Sequence, residues 1–89
     1  MTRETFAWAT WNYCGTLGGS VTSWGRTPRH NAAVGGDPRS LHLDWRAVDV
    51  VYDTMPPLDR AQDVARQLGL YVHREGDHDH VRPLDQVWV

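Results

Sequence analysis

The sequence predicts an α+β domain built on an antiparallel sheet with two or three helices, and three observations carry that expectation. Val48, Val50 and Tyr52 alternate with Ala47, Asp49 and Val51, the period of a strand with two distinct faces. Leu58, Ala61, Ala65 and Leu68 form a helical stripe that follows Pro56 and Pro57 and is closed by Gly69. Two short runs, Leu70 to Arg74 and Asp79 to Arg82, flank Glu75, Gly76 and Asp77 in the manner of a hairpin.

The remaining elements follow in chain order. Residues 5–14 are rich in aromatics, and periodicity alone leaves helix and strand both open. Gly15, Gly18 and Gly19 interrupt that run. Ser20 to Trp24 is β-branched and aromatic, a short strand. Thr27 and Pro28 open a helical turn through Ala33, with threonine as cap and proline at the first position. Gly35, Gly36, Asp37 and Pro38 are a loop. Asp85 to Val89 are expected to add a last edge strand.

The chain has 89 residues, one domain with a small core. Five tryptophans, three tyrosines and one phenylalanine supply enough apolar area for compactness without disulfides. Cys14 is the only cysteine, which excludes an intramolecular disulfide and a four-cysteine zinc knuckle. Net charge is −2 and all nine basic residues are arginine, without a basic stripe, so nucleic acid is not the expected partner. The first residues lead into no apolar run; neither a secretory signal nor a membrane span is expected, and another route would have to deliver the protein to a substrate beyond the membrane. A monomer is expected.

The chemistry concentrates in two segments. His42 and Asp49 lie in one, and Asp77, His78 and His80 lie in the other. Two imidazoles and a carboxylate suit a zinc ion with an open position, and a spare carboxylate suits activation of its water. Asp49 sits inside an apolar strand, where a charge needs a partner: an arginine, backbone N–H groups or a metal. Taken alone, an ion pair is the simpler reading for Asp49, and a hydrogen-bonded loop histidine is the simpler one for His42. On a strand His78 and His80 share a face, whereas Asp77, three residues before His80, needs a turn or bulge at Gly76 to join them. Arg26 offers a planar fork for a substrate carboxylate, with pairing to Asp37 or Asp53 as the structural alternative. His30 and His73 are read as surface or structural histidines.

Four blocks in this order resemble the zinc D-Ala-D-Ala carboxypeptidase family, which shares its fold with the hedgehog signalling domain. They are Ser23, Arg26, Thr27, Pro28, His30 and Asn31; Val34, Gly35 and Gly36; Ser40, His42, Ala47 and Asp49; and Asp77, His78, His80 and Val81. The resemblance runs from about Ser20 to Val81. It implies His42, Asp49 and His80 as zinc ligands and Asp77 as the catalytic acid and base. It further implies Arg26 as the residue that holds a terminal carboxylate or assists the scissile carbonyl. Ser40 and His78 would face the substrate, and the expected partner is a peptidoglycan stem peptide, cut by a carboxypeptidase or by an endopeptidase of phage-lysin type acting at the bacterial wall. One position departs from the family pattern: a glycine is usual three residues after the first ligand, and Trp45 stands there, expected to narrow the pocket or reshape the turn between two ligands. Two other readings remain open, a non-catalytic zinc module of the same fold and an interaction domain whose histidines merely cluster.

Overall fold

The computed structural model describes residues 1–37 and 45–86. The elements run α1 (Arg3–Leu17), β1 (Gly19–Ser23), α2 (Pro28–Ala33), β2 (Val48–Tyr52), α3 (Leu58–Gln67), β3 (Leu70–Glu75) and β4 (His78–Pro83). The strands form one sheet in the order β1-β2-β4-β3, with every neighbouring pair antiparallel. The fold is therefore α+β, with three helices and a four-stranded antiparallel sheet among the described residues. Among the described residues no helix is long and apolar enough to cross a membrane.

The aromatic segment left open above is a helix. Phe6, Ala9, Thr10 and Tyr13 are buried along α1, the spacing of one helical face, while Trp8 and Trp11 point outward. The Thr2 hydroxyl caps the helix by accepting from the Thr5 N–H at 3.1 Å. Gly18 ends it in the left-handed conformation, φ 69°, and donates its N–H back to the Cys14 carbonyl. α2 starts as its sequence predicts: Thr27 accepts from the His30 N–H at 3.2 Å, and Pro28 occupies the first turn.

β2 leads through α3 to the edge strand β3, and a tight hairpin returns the chain to β4 between β3 and β2. Glu75 pairs with His78, so Gly76 and Asp77 alone make the turn. Gly76 has φ 66°, the left-handed value that a glycine at the first central position of a two-residue hairpin supplies without strain. The chain beyond β4 differs from expectation at its start, because Leu84 and Asp85 form a turn. The Leu84 N–H donates to the Gly69 carbonyl at 2.8 Å, which draws the chain back towards the end of α3 instead of along the sheet. Residues 87–89 lie outside the described residues.

Strand alternation sorts the sheet into two faces. Val48 and Val50 of β2, Leu70 and Val72 of β3, and Val81 of β4 join Phe6, Ala9 and Tyr13 of α1 and Ala65 of α3 in one buried cluster. Apolar burial of this kind contributes on the order of 25 cal/mol per Å², the main favourable contribution in so small a domain. Asp49, His78, His80, Tyr71 and His73 alternate with those residues and belong to the opposite face. The sheet thus presents the candidate chemistry on the side away from its core.

Candidate active site

Asp49 and His80 are direct cross-strand partners on β2 and β4. Side chains at such positions stand about 4.5–5.5 Å apart at Cβ, within easy reach of each other. The His80 Nδ1 lies 3.3 Å from the Asp49 Oδ1. Both groups are largely withdrawn from solvent, with side-chain exposures of 8% for His80 and 19% for Asp49. Two of the three ligands expected from sequence are therefore brought together by sheet register alone.

Arg26 completes this corner. Its Nη2 approaches the Asp49 Oδ2 at 3.7 Å, and its Nη1 donates to the Asn31 Oδ1 at 3.2 Å. Asn31 is almost fully buried and donates its own side-chain N–H to the Asp37 carbonyl at 3.0 Å. Gly36 makes this packing possible: a Cβ there would fall 2.1 Å from the Asn31 Oδ1 and 3.1 Å from the Arg26 Nη1. Arg26 is thus held between a strand carboxylate and a buried amide. β1 feeds the chain into this position through a register shift between Val21 and Ser23, with Ser23 paired to Asp49.

The hairpin carries the second acid. Asp77 stands at the turn with its side chain 97% exposed, and its Oδ1 meets the His78 Nδ1 at 3.0 Å. His78 also faces Glu75, Nε2 to Oε2 at 3.4 Å. The hydrogen bond to His78 holds the Asp77 carboxyl below the usual carboxylate range. The same bond raises the His78 imidazole above its ordinary value, assisted by the charges of Asp49 and Glu75 and opposed by partial desolvation. The turn at Gly76 that the sequence demanded is present, and the contact it gives Asp77 is with His78. His73, opposite His80 on β3, is half exposed and lies 3.8 Å from Glu75, in keeping with a surface role.

Ser40 and His42 lie outside the described residues. Among the described residues there is no group of three or more histidine, cysteine or acidic side chains arranged to hold a metal ion. Asp49 and His80 supply one oxygen and one nitrogen donor side by side, a pair whose chemistry fits zinc but which needs further ligands to complete a site.

Trp45, the departure noted in the sequence, is the only non-glycine residue with positive φ among the described residues, at 61°. The left-handed conformation costs roughly 1–2 kcal/mol for an L-residue, and glycine is the residue that adopts it freely. The backbone at this position keeps the shape that a glycine would take, while a large ring hangs from it.

Two features escaped the sequence reading. Asn31 was visible only as part of a motif, with nothing to mark it as the buried partner of Arg26. Asp79 stands between two histidines in the sequence with nothing to mark a role, yet it is fully buried on the core face. Arg74 grips it twice, Nε to Oδ1 at 2.8 Å and Nη2 to Oδ2 at 3.0 Å. The Tyr52 hydroxyl donates to its Oδ2 at 2.7 Å, and the Tyr13 hydroxyl meets that of Tyr52. Strand parity was the available signal, since Asp79 shares its face with the apolar Val81.

The family model described as Peptidase M15 matches residues 14–81, from the last turn of α1 into β4. No curated protein and no solved structure matches the chain. The matched stretch spans Arg26, Asn31, Asp49, Asp77, His78 and His80, and it is well over half of the sequence. The chain belongs to the Peptidase M15 family.

Proposed function

We propose that this protein is a zinc-dependent peptidase that hydrolyses cell-wall peptide, as a D-Ala-D-Ala carboxypeptidase or a peptidoglycan endopeptidase. The observation that carries the reading is the Asp49–His80 pair at 3.3 Å with Arg26 against it, inside the stretch matched by the peptidase family. His42, Asp49 and His80 would hold the ion. When bound, zinc would supply a water acidified towards pKa ~7 and a Lewis acid for the scissile carbonyl.

The remaining roles fall to the chain's own side chains. Arg26 presents a planar guanidinium, already oriented by Asn31, whose remaining N–H donors can take a substrate carboxylate or the scissile carbonyl. Asp77, ionised because His78 holds its pKa low, accepts a proton during attack and returns it to the leaving amine. A depressed pKa makes Asp77 a weak base, and the His78 imidazole, raised above its ordinary value by the same hydrogen bond, stands beside it as a proton donor. Ser40 and His78 would line the substrate. The partner in this reading is a peptidoglycan stem peptide, met by a monomer at the bacterial wall, where a phage-encoded lysin would act.

A second reading, a non-catalytic zinc module, draws on the exposure of Asp77 at the hairpin tip. Metal analysis of untagged protein combined with a muropeptide digest separates the two. One zinc per chain with release of D-Ala or of a cleaved stem peptide supports the peptidase. Bound zinc with intact muropeptides supports the module, and a metal-free, inert protein overturns both.

A further inference from the structure

Arg26 is held by Asn31 and Asp49, and the two residues before it, Trp24 and Gly25, meet Trp45. The Trp45 ring lies directly on Gly25: a Cβ at that glycine would stand 2.0, 2.1 and 2.2 Å from the ring atoms Cδ2, Cε3 and Cε2. No side chain, not even a methyl group, fits between them. The contact is reciprocal, because the Trp24 indole N–H donates to the Trp45 carbonyl at 3.1 Å. Trp24 in turn sets its ring edge-on to the buried Phe6, with centroids 6.2 Å apart and planes at 89°. A side chain from 24 thus grips the backbone of 45, while a side chain from 45 covers the backbone of 25. Arg26 is the next residue.

We propose that Trp45 is a positioning residue for Arg26: its indole, seated on Gly25 and tied through Trp24 to the core, fixes the 24–26 segment so that the guanidinium stays against Asp49 and Asn31. The unfavourable backbone conformation of Trp45 supports this assignment. A glycine would take φ 61° without strain, so what a tryptophan adds at this position is its ring and the contacts that ring makes. The ring is half exposed and therefore only partly used as core. Gly25 is the matching half of the device, because any larger residue there would expel the indole.

What Arg26 does for substrate rests on the peptidase reading, but its positioning can be tested without turnover. The experiment is a double-mutant cycle on the full chain, read by the NMR signal of the Arg26 side-chain Nε–H and its exchange with water. Trp45→Asn keeps a residue that tolerates the left-handed backbone and removes the ring. It should move the Arg26 signal towards that of a solvated arginine and speed its exchange at least tenfold. Gly25→Ala in the parent should do the same by displacing the indole. The two together should change the signal no more than either alone, the non-additivity of residues acting as one contact.

Where peptidase activity is present, Trp45→Asn should raise KM for a peptide ending in D-Ala-D-Ala about tenfold with kcat nearly unchanged, since it loosens binding and not chemistry. Trp45→Phe, which retains a ring over Gly25, should recover most of both effects. Circular dichroism identifies variants that fail to fold; if Trp45→Asn is one of them, Gly25→Ala carries the comparison, and an Arg26 signal unmoved in folded Gly25→Ala overturns the proposal. An Arg26 signal unmoved in folded Trp45→Asn, or effects of the two substitutions that simply add, overturns the proposal. A moved signal with no hydrolysis by any form, the parent included, leaves the positioning role standing and removes the peptidase reading.

Discussion

Two aspartates on neighbouring strands, Asp79 and Asp49, face opposite sides of one sheet and are treated in opposite ways. Asp79 is fully buried, accepts two arginine hydrogen bonds and one from a tyrosine, all at 2.7–3.0 Å, and belongs to the core. Asp49 keeps 19% of its side chain accessible, and its contacts to His80 and Arg26 are longer, at 3.3 and 3.7 Å. A buried carboxylate in short bonds from every side serves the fold. Asp49 is set instead beside an imidazole and a guanidinium, on the sheet face away from the core. The difference distinguishes structural from chemical acids more clearly than either residue's sequence neighbourhood does.

The largest test of that contrast is Asp79→Ala. It leaves Arg74 and Tyr52 facing a gap beneath the sheet and should cost about 3 kcal/mol, the lower end for breaking a buried ion pair, because Arg74 itself is partly exposed. In a domain this size that loss should lower the melting temperature by roughly 12–24 °C. Asp49→Asn should cost less than Asp79→Ala, because the amide keeps the side chain's size and one hydrogen-bonding oxygen, and under the zinc proposal it should weaken metal binding measured by calorimetry. If Asp49→Asn destabilised the apo protein more than Asp79→Ala, the two roles would have to be exchanged.

Alkaline titration sharpens the core half of the comparison. Burial, the largest cause, pushes the Tyr13 hydroxyl up to about 12, and burial and the neighbouring Asp79 raise Tyr52 as well. Between the unfolded value of 10 and the folded one, the native state holds a proton that the unfolded chain has lost. The stabilisation is therefore complete below pH 10 and falls as pH rises towards 12, by roughly 2–3 kcal/mol for a shift of this size. Denaturant midpoints measured from pH 9 to 12 should show that decline. Tyr13→Phe, which has no hydroxyl to ionise, should reduce it; an equal decline in that variant would remove Tyr13 as its source.

Much of the fold could be read in the residues, and the reasons for the exceptions are local. β2 and α3 declared themselves by period, and the hairpin by Gly76 between two strand-like runs. α1 did not, because Trp8 and Trp11, 61% and 78% exposed, set apolar residues on the solvent face and blurred a stripe that Phe6, Ala9, Thr10 and Tyr13 otherwise form. Asp49 and His80 could be paired from their residue types, but only the β2–β4 register puts them opposite each other. Asn31 and Asp79 were hidden for a related reason: a polar residue's role depends on which distant group it meets, and sequence spacing does not carry that information. Trp45 was visible as an oddity, whereas its seat on Gly25 is a tertiary contact across some twenty residues.

The smallest effect tests whether the hairpin acid and the strand acid act on one environment. His78 is raised first by its hydrogen bond to Asp77, then by the charges of Asp49 and Glu75. The stability that His78 gains from these partners is complete below its ordinary value of 6.5 and disappears as pH rises through its higher folded value. Asp77 behaves in the opposite sense: its contribution is present above its ordinary 3.8 and disappears as pH falls through its depressed value. The pair is therefore ionised on both sides across the interval between, which includes mildly acidic pH. In an NMR titration of the metal-free protein, Asp77→Asn should lower the His78 midpoint most and Asp49→Asn should lower it by less, because the first removes a hydrogen bond and the second only a nearby charge. A His78 midpoint that ignores Asp49 would mean that the hairpin tip and the strand site are electrically separate. A proton held by the Asp77–His78 pair would then have no influence on chemistry at Asp49 and His80.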